Sequence, residues 1–183
     1  INENYKDFFI RSDASFPIDI FYLAYQNYFD DRSILEDFAK SLSKIDGIVN
    51  KSFNKKIQLN NLSKRKEIRL GICSDFLRDH TIGLFFANLI NNLASSGIEV
   101  IIFRGPKAKK DEFSKKIDSY VSEVIDLPTS HNEGCRVILS KSLDILFYPD
   151  LGMSHYTYLL SLSRLALIQV TSVGHPNTSG SPM

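Results

Sequence analysis

The sequence predicts an α/β fold, a Rossmann-like parallel sheet preceded by a short helical segment. Three observations carry that reading. After Lys66 short apolar runs alternate with amphipathic stretches, the pattern of strands covered by helices. The run Ile98-Glu-Val-Ile-Ile-Phe103 has the nearly continuous apolar character of a strand buried on both faces. Ile82, Phe85, Phe86, Leu89, Ile90 and Leu93 recur at helical spacing, and Gly97 follows them in the position of a helix C-cap.

Taken in order, residues 1–50 read as a helical segment with two apolar faces. Ile18, Phe21, Tyr22 and Tyr25 form the first; Ile34, Leu35, Phe38 and Leu42 form the second. Asp30-Asp-Arg-Ser33 connects them, with Ser33 as the expected N-cap and Glu36 three residues later completing a capping box. Residues 51–66 are rich in Asn, Lys and Ser, the composition of a solvated linker. Residues 67–183 form the sheet domain, with strands expected at 67–73, 98–104, 122–126, 143–148 and 166–172. The best helix spans 81–95, and its apolar stripe is read as core, not as a cofactor surface. Right-handed crossovers between these strands give a Rossmann-like half.

The composition bounds the function. With 43% hydrophobic and 23% charged residues in 183, the chain is an ordinary globular sequence. A net charge of +1, from 22 basic and 21 acidic residues, lacks the basic excess that marks nucleic-acid binding. No apolar run approaches the roughly 20 residues that span a bilayer, and no signal-peptide pattern opens the chain. Cys73 and Cys135 are far apart and outside any zinc-like spacing, so a reduced, cytoplasmic protein is the simplest fit, with a single disulfide left open. A start at Ile1 and an end at Gly-Ser-Pro-Met183 lead us to expect a segment of a longer protein.

Three loops carry polar residues to the carboxyl ends of the expected strands. The first holds Ser74, Asp75, Arg78, Asp79 and His80; the second runs from Tyr148 through Asp150 to His155; the third is Gly174-His-Pro-Asn-Thr-Ser-Gly180. In an open parallel sheet these loops share one edge, which would bring His80, Asp150, His155 and His175 to one crevice. His80 has two readings: it caps or packs the helix that follows, or it presents an imidazole that exchanges protons near neutral pH. Dinucleotide, P-loop and Gly-x-Ser-x-Gly motifs are absent, which disfavours dehydrogenases, P-loop enzymes and elbow-type hydrolases. His80, His131, His155 and His175 show no ligand spacing, so no metal is expected.

Four segments, in order, resemble the successive motifs of one family: Arg69-Leu-Gly-Ile-Cys-Ser-Asp-Phe-Leu-Arg-Asp-His-Thr-Ile-Gly83, Leu143-Asp-Ile-Leu-Phe-Tyr-Pro-Asp-Leu-Gly-Met153, Thr157-Tyr158 through Arg164-Leu-Ala-Leu-Ile-Gln-Val170, and Gly174 to Gly180. They resemble the O-GlcNAc transferase and SPINDLY glycosyltransferases, in a bacterial branch similar also to HMW1C-type protein glucosyltransferases. The resemblance implies the N-terminal half of a GT-B catalytic region, whose C-terminal, donor-holding half is absent from this chain. It implies transfer of a monosaccharide from a nucleotide sugar, a UDP-sugar above all, to an acceptor such as a protein Ser/Thr hydroxyl. The nucleotide sugar is then a substrate, and no separate cofactor is implied. His80 matches the family histidine considered as a general base or site organiser. Gly174 and Pro176 match a turn beside the donor sugar, to which His175, Thr178 and Ser179 could add hydrogen bonds; a plain turn before a next domain explains the same composition equally well. The chain departs from the pattern at Leu167, where proline is usual, and ahead of Gly174, where a bulky residue is usual. The helical segment resembles the helices that join tetratricopeptide repeats to the catalytic part, or else is a hairpin packed on the sheet domain. A non-catalytic protein-interaction module or inactive paralogue stands as the alternative function, and the segment alone is expected to be inactive.

Overall fold

A computed structural model describes residues 20–25, 30–45, 67–176 and 178–181. The expected linker at 51–66 and Ile18 of the first apolar face lie outside the described residues. The chain runs through a short 3-10 helix at Ile20–Tyr25, then α1 (Asp31–Leu42), β1 (Arg69–Cys73), α2 (Thr81–Ser95), β2 (Glu99–Arg104), α3 (Glu112–Asp118), β3 (Glu123–Asp126), α4 (His131–Ser140), β4 (Ile145–Tyr148), α5 (His155–Ser161) and β5 (Ile168–Thr171). The strands form one parallel sheet, five-stranded among the described residues, in the order β3-β2-β1-β4-β5.

Strand alternation splits the core into two layers. Leu70, Ile72, Val100 and Ile102 point to the face covered by α2, where they meet Ile82, Phe86 and Ile90. Cys73, Ile101, Phe103, Leu146 and Tyr148 point to the opposite face, under Ile138 of α4 and Leu160 of α5. Burial on both faces is why the central strands read as unbroken apolar runs. Each such side chain removed from water contributes about 1.5–3 kcal/mol. Gly71 is small of necessity, because a Cβ there would meet Leu143, Phe103 and Leu146.

The second face also receives α1. Leu35, Ala39 and Leu42 are buried in the same cluster as Tyr148 and Tyr158, and Phe38 stacks on Tyr158 at 6.2 Å. Ile34, expected on this face, is exposed. The expected cap is corrected as well. Asp30, not Ser33, is the N-cap, its carboxylate accepting from the Arg32 amide at 3.1 Å. Ser33 lies inside the first turn with its hydroxyl on the Asp30 carbonyl, and Glu36 pairs with Arg32 at 2.8 Å, so no Ser33–Glu36 box forms. An aspartate at this position caps as well as serine and leaves the acidic Asp31 in the first turn, where the helix dipole favours it. The first apolar face is corrected likewise: Ile20–Tyr25 forms only a 3-10 turn, with Tyr22 and Tyr25 exposed.

In α2 the expected stripe divides. Ile82, Phe86 and Ile90 are core, whereas Phe85 and Leu89, with Leu84 beside them, are exposed. Gly97 ends this helix with φ +86°, a conformation an L side chain rarely adopts. Among the described residues no helix is long and apolar enough to cross a membrane.

Candidate functional site at the carboxyl edge of the sheet

From β1 the chain winds outward through β2 to β3, then returns to β4 on the other side of β1. The direction of winding therefore reverses between β1 and β4. At such a reversal the loops leaving the two strands turn away from each other and open a crevice at the carboxyl edge, the usual ligand position in sheets of this kind. Here those loops are residues 74–80 and 149–154.

Asp75 ties the edge together. One carboxylate oxygen accepts from the Gly105 amide after β2 at 2.7 Å, and the other accepts from the Ser154 hydroxyl after β4, also at 2.7 Å. Gly105 is required by this approach, since a Cβ would strike the carboxylate. Ser154 spends its hydroxyl on Asp75 and makes no side-chain cap for α5. Ser74, fully buried, donates its amide to the Phe103 carbonyl and accepts from the Phe76 amide.

His80 occupies the N-cap of α2. Its backbone is extended, and its Nδ1 accepts from the Ile82 amide at 3.2 Å. The ring packs on Phe76 with centroids 4.9 Å apart and stays partly exposed. Partial burial, and then the Arg78 guanidinium, hold its pKa below that of a free imidazole. Gly83, one turn along, has no room for a side chain because the Arg78 backbone passes against it.

The Gly174 turn reaches the same place from β5. Its amide donates to the Pro149 carbonyl at 3.1 Å, and a Cβ on Gly174 would collide with that carbonyl and with Ile82. Ile82 thus joins the turn to the helix start that His80 caps. His175 is buried between neighbours: Nε2 donates to the Phe21 carbonyl at 3.2 Å, the ring lies 4.7 Å from the Phe21 ring, and Nδ1 faces Gly152. Gly152, at φ +105°, makes room for it. Pro176 and Thr178 are exposed beyond it. His155 is partly exposed at the start of α5.

Beneath these loops lies Asp150. It is 1% exposed, and among the described residues neither carboxylate oxygen has a hydrogen bond of standard geometry. Burial pushes its pKa up to about 7; the nearby Ser74 hydroxyl lowers it and the Asp75 carboxylate raises it. The Tyr148 hydroxyl, also buried, lacks a hydrogen-bond partner among the described residues, and burial raises its pKa further from neutrality. Cys73 and Cys135 are both buried free thiols. Burial raises the first well above its ordinary range and the second to about 12, so neither is a nucleophile in the folded state. His131 of α4 is buried and lies 3.7 Å from the Cys135 sulfur, away from these loops.

Contacts join parts of the three polar loops, while His155 is placed only at the start of α5. Gly174 meets the β4 loop and the start of α2, His175 packs on Gly152, and Asp150 lies within electrostatic reach of Asp75 at the end of β1. Asp75 and Ser154, which hold the edge, were not singled out as site residues in the sequence; a lone aspartate two residues past a strand at a winding reversal was the available signal. Among the described residues no group of three or more His, Cys, Asp or Glu is arranged to hold a metal ion.

No protein-family model matches the chain, and no curated protein matches it in sequence. Solved structures do. A mutant O-GlcNAc transferase of Thermobaculum terrenum superposes on 87% of this chain with a TM-score of 0.69 at 20% identity, and the chain spans 30% of the length of that protein. At that identity the likeness establishes the fold: this chain is a Rossmann-like parallel α/β domain of the kind found in that O-GlcNAc transferase.

Proposed function

We propose that the chain forms the N-terminal half of a GT-B glycosyltransferase, the acceptor-side wall of a cleft that a second half closes. One observation carries the reading. The winding reversal between β1 and β4 gathers the His80 helix start, the Asp75 tie and the Gly174 turn at one edge, on a sheet like that of an O-GlcNAc transferase. The substrates are a nucleotide sugar, with UDP as the leading nucleotide, and an acceptor hydroxyl on a protein Ser or Thr. In the reaction the acceptor oxygen bonds to the anomeric carbon. The bond from that carbon to the diphosphate oxygen breaks, its electron pair stays with the nucleoside diphosphate, and the acceptor proton passes to water.

His80 is the residue we place at the reacting centre, with Gly174, His175, Pro176 and Thr178 forming the turn against which the donor sugar rests. Within that turn His175 acts by holding shape, because its ring is enclosed by Phe21 and Gly152. The donors that stabilise the departing diphosphate come mainly from the second half, since charge developing there needs cations or a helix N-terminus. Two free thiols accord with a reducing, cytoplasmic setting. The test is incubation of the full-length protein with UDP-sugars and a Ser/Thr peptide, read by the mass of transferred hexose. Transfer by the full-length protein and none by residues 1–183 alone is the expected result. No transfer with any UDP-sugar, together with no UDP binding, would favour the interaction-module reading.

A further inference from the structure

The hydrogen bond that seats His80 also decides which of its nitrogens carries a proton. A backbone amide can only donate, so Nδ1, which receives the Ile82 N–H, must present a lone pair. A neutral imidazole has one proton for two nitrogens, and it therefore sits on Nε2. Burial and Arg78 both favour the neutral ring. The extended backbone at φ −157° and ψ 154°, the Phe76 ring at 4.9 Å and the Leu84 amide on the His80 carbonyl at 2.9 Å fix the ring at the helix start. Among the described residues Nε2 has no hydrogen-bond partner.

We infer that His80 works as an Nε2–H hydrogen-bond donor to an oxygen of the sugar nucleotide, and not as the general base that accepts the acceptor's proton. The inference rests on the glycosyl-transfer reading and gives its central residue a different role. For Nε2 to take up a proton as a base, the ring would first have to move its own proton to Nδ1. That proton would point at the Ile82 N–H, the cap would be lost, and the first turn of α2 would have an unmet donor. Donation has no such cost: the bond to the helix holds the ring, and the N–H on Nε2 of this partly exposed side chain is not used by the described residues. The proton stays on Nε2 throughout, and the acceptor's proton passes to water. A sugar hydroxyl and a phosphate oxygen are both acceptors of this kind, and binding experiments separate them.

Asparagine isolates the two roles, because its Oδ1 caps a helix as well as any side chain, its amide donates, and it cannot act as a base. Aspartate caps equally well, cannot donate when ionised, and could serve as a base. In the full-length protein we expect His80→Ala to lose about 100-fold or more in kcat/KM, the usual effect of removing one oriented donor. His80→Asn should stay within about tenfold of the native enzyme, and His80→Asp should fall as low as alanine. An active His80→Asp beside an inactive His80→Asn would overturn the inference. Weaker binding of both UDP and UDP-sugar in His80→Ala identifies a phosphate oxygen as the partner; weaker binding of UDP-sugar alone identifies the sugar. Unchanged binding of both counts against donation to the nucleotide sugar. Independently of any turnover, histidine labelled with nitrogen-15 should show His80 Nδ1 unprotonated and Nε2 protonated at neutral pH. The reverse tautomer refutes the inference, whereas a protein with the expected tautomer, no transfer and no nucleotide binding refutes the glycosyl-transfer reading instead.

Discussion

Replacing Asp150 with asparagine removes a charge that burial disfavours. The carboxyl is 1% exposed, with only the Ser74 hydroxyl nearby to favour its charged form, and burial moves its pKa from an ordinary 3.8 to about 7. A shift of about three units, at roughly 1.4 kcal/mol each, makes ionised Asp150 cost the folded state on the order of 4 kcal/mol. The folded pKa lies above the unfolded one, so the folded state holds the extra proton between about pH 4 and about pH 7, and the native protein gains stability as pH falls through that window. The amide of the Asp150→Asn variant has no proton to gain. Urea unfolding of both proteins near pH 8 and near pH 5 should show the stability difference moving toward the native protein by roughly 3 kcal/mol as pH falls. Any fixed effect of the amide, such as a changed contact with Ser74, is the same at both pH values and cancels. Parallel stability curves would mean that Asp150 is solvated or paired, and the account of its burial would fail.

Gly174→Ala forces a Cβ against the Pro149 carbonyl and Ile82, and should cost about 1–3 kcal/mol while displacing the turn, detectable as a lower melting temperature. Asp75→Ala removes the bonds to Gly105 and Ser154 together; a loss of about 1–3 kcal/mol in urea unfolding is expected, and an unchanged midpoint would show the tie to be dispensable. Leu35→Ala, at a site 1% exposed between α1 and the sheet domain, should cost about 2–5 kcal/mol, whereas Ile34→Ala on the exposed side should be nearly neutral. Iodoacetamide at pH 8 should leave Cys73 and Cys135 unmodified in the folded protein and label both in urea, as read by mass.

The strands were legible because their sequences answer to burial on two faces at once: Val100, Ile101, Ile102 and Phe103 admit no polar residue, and the pattern survives without knowledge of the neighbours. The stop of α2 at Gly97 was legible for a local reason, its positive φ. Periodicity gave the direction of the α2 apolar face but not its covered width, which is why Phe85 and Leu89 were assigned to the core and are exposed. The N-cap of α1 slipped by one turn because Asp30, Asp31 and Ser33 are all good capping residues, and only the backbone angles at Asp30 choose among them. At the site, His80 and Gly174 stood out by type and position. The ties from Asp75 to residues 30 and 79 positions away, and the seclusion of His175 by Phe21, depend on how distant segments meet, which local pattern does not encode.

The Asp75 carboxylate bonds simultaneously to the loops after β2 and β4 from its own place after β1, so three strand exits are braced against one another with no ligand present. A braced edge has little conformational freedom left to surrender, and under the proposed function a ligand bound there would keep more of its contact energy as affinity. If the proposed donor turn is right, adaptation to ligands of different size falls to elements outside the brace, such as the exposed stretch at Pro176 and Thr178.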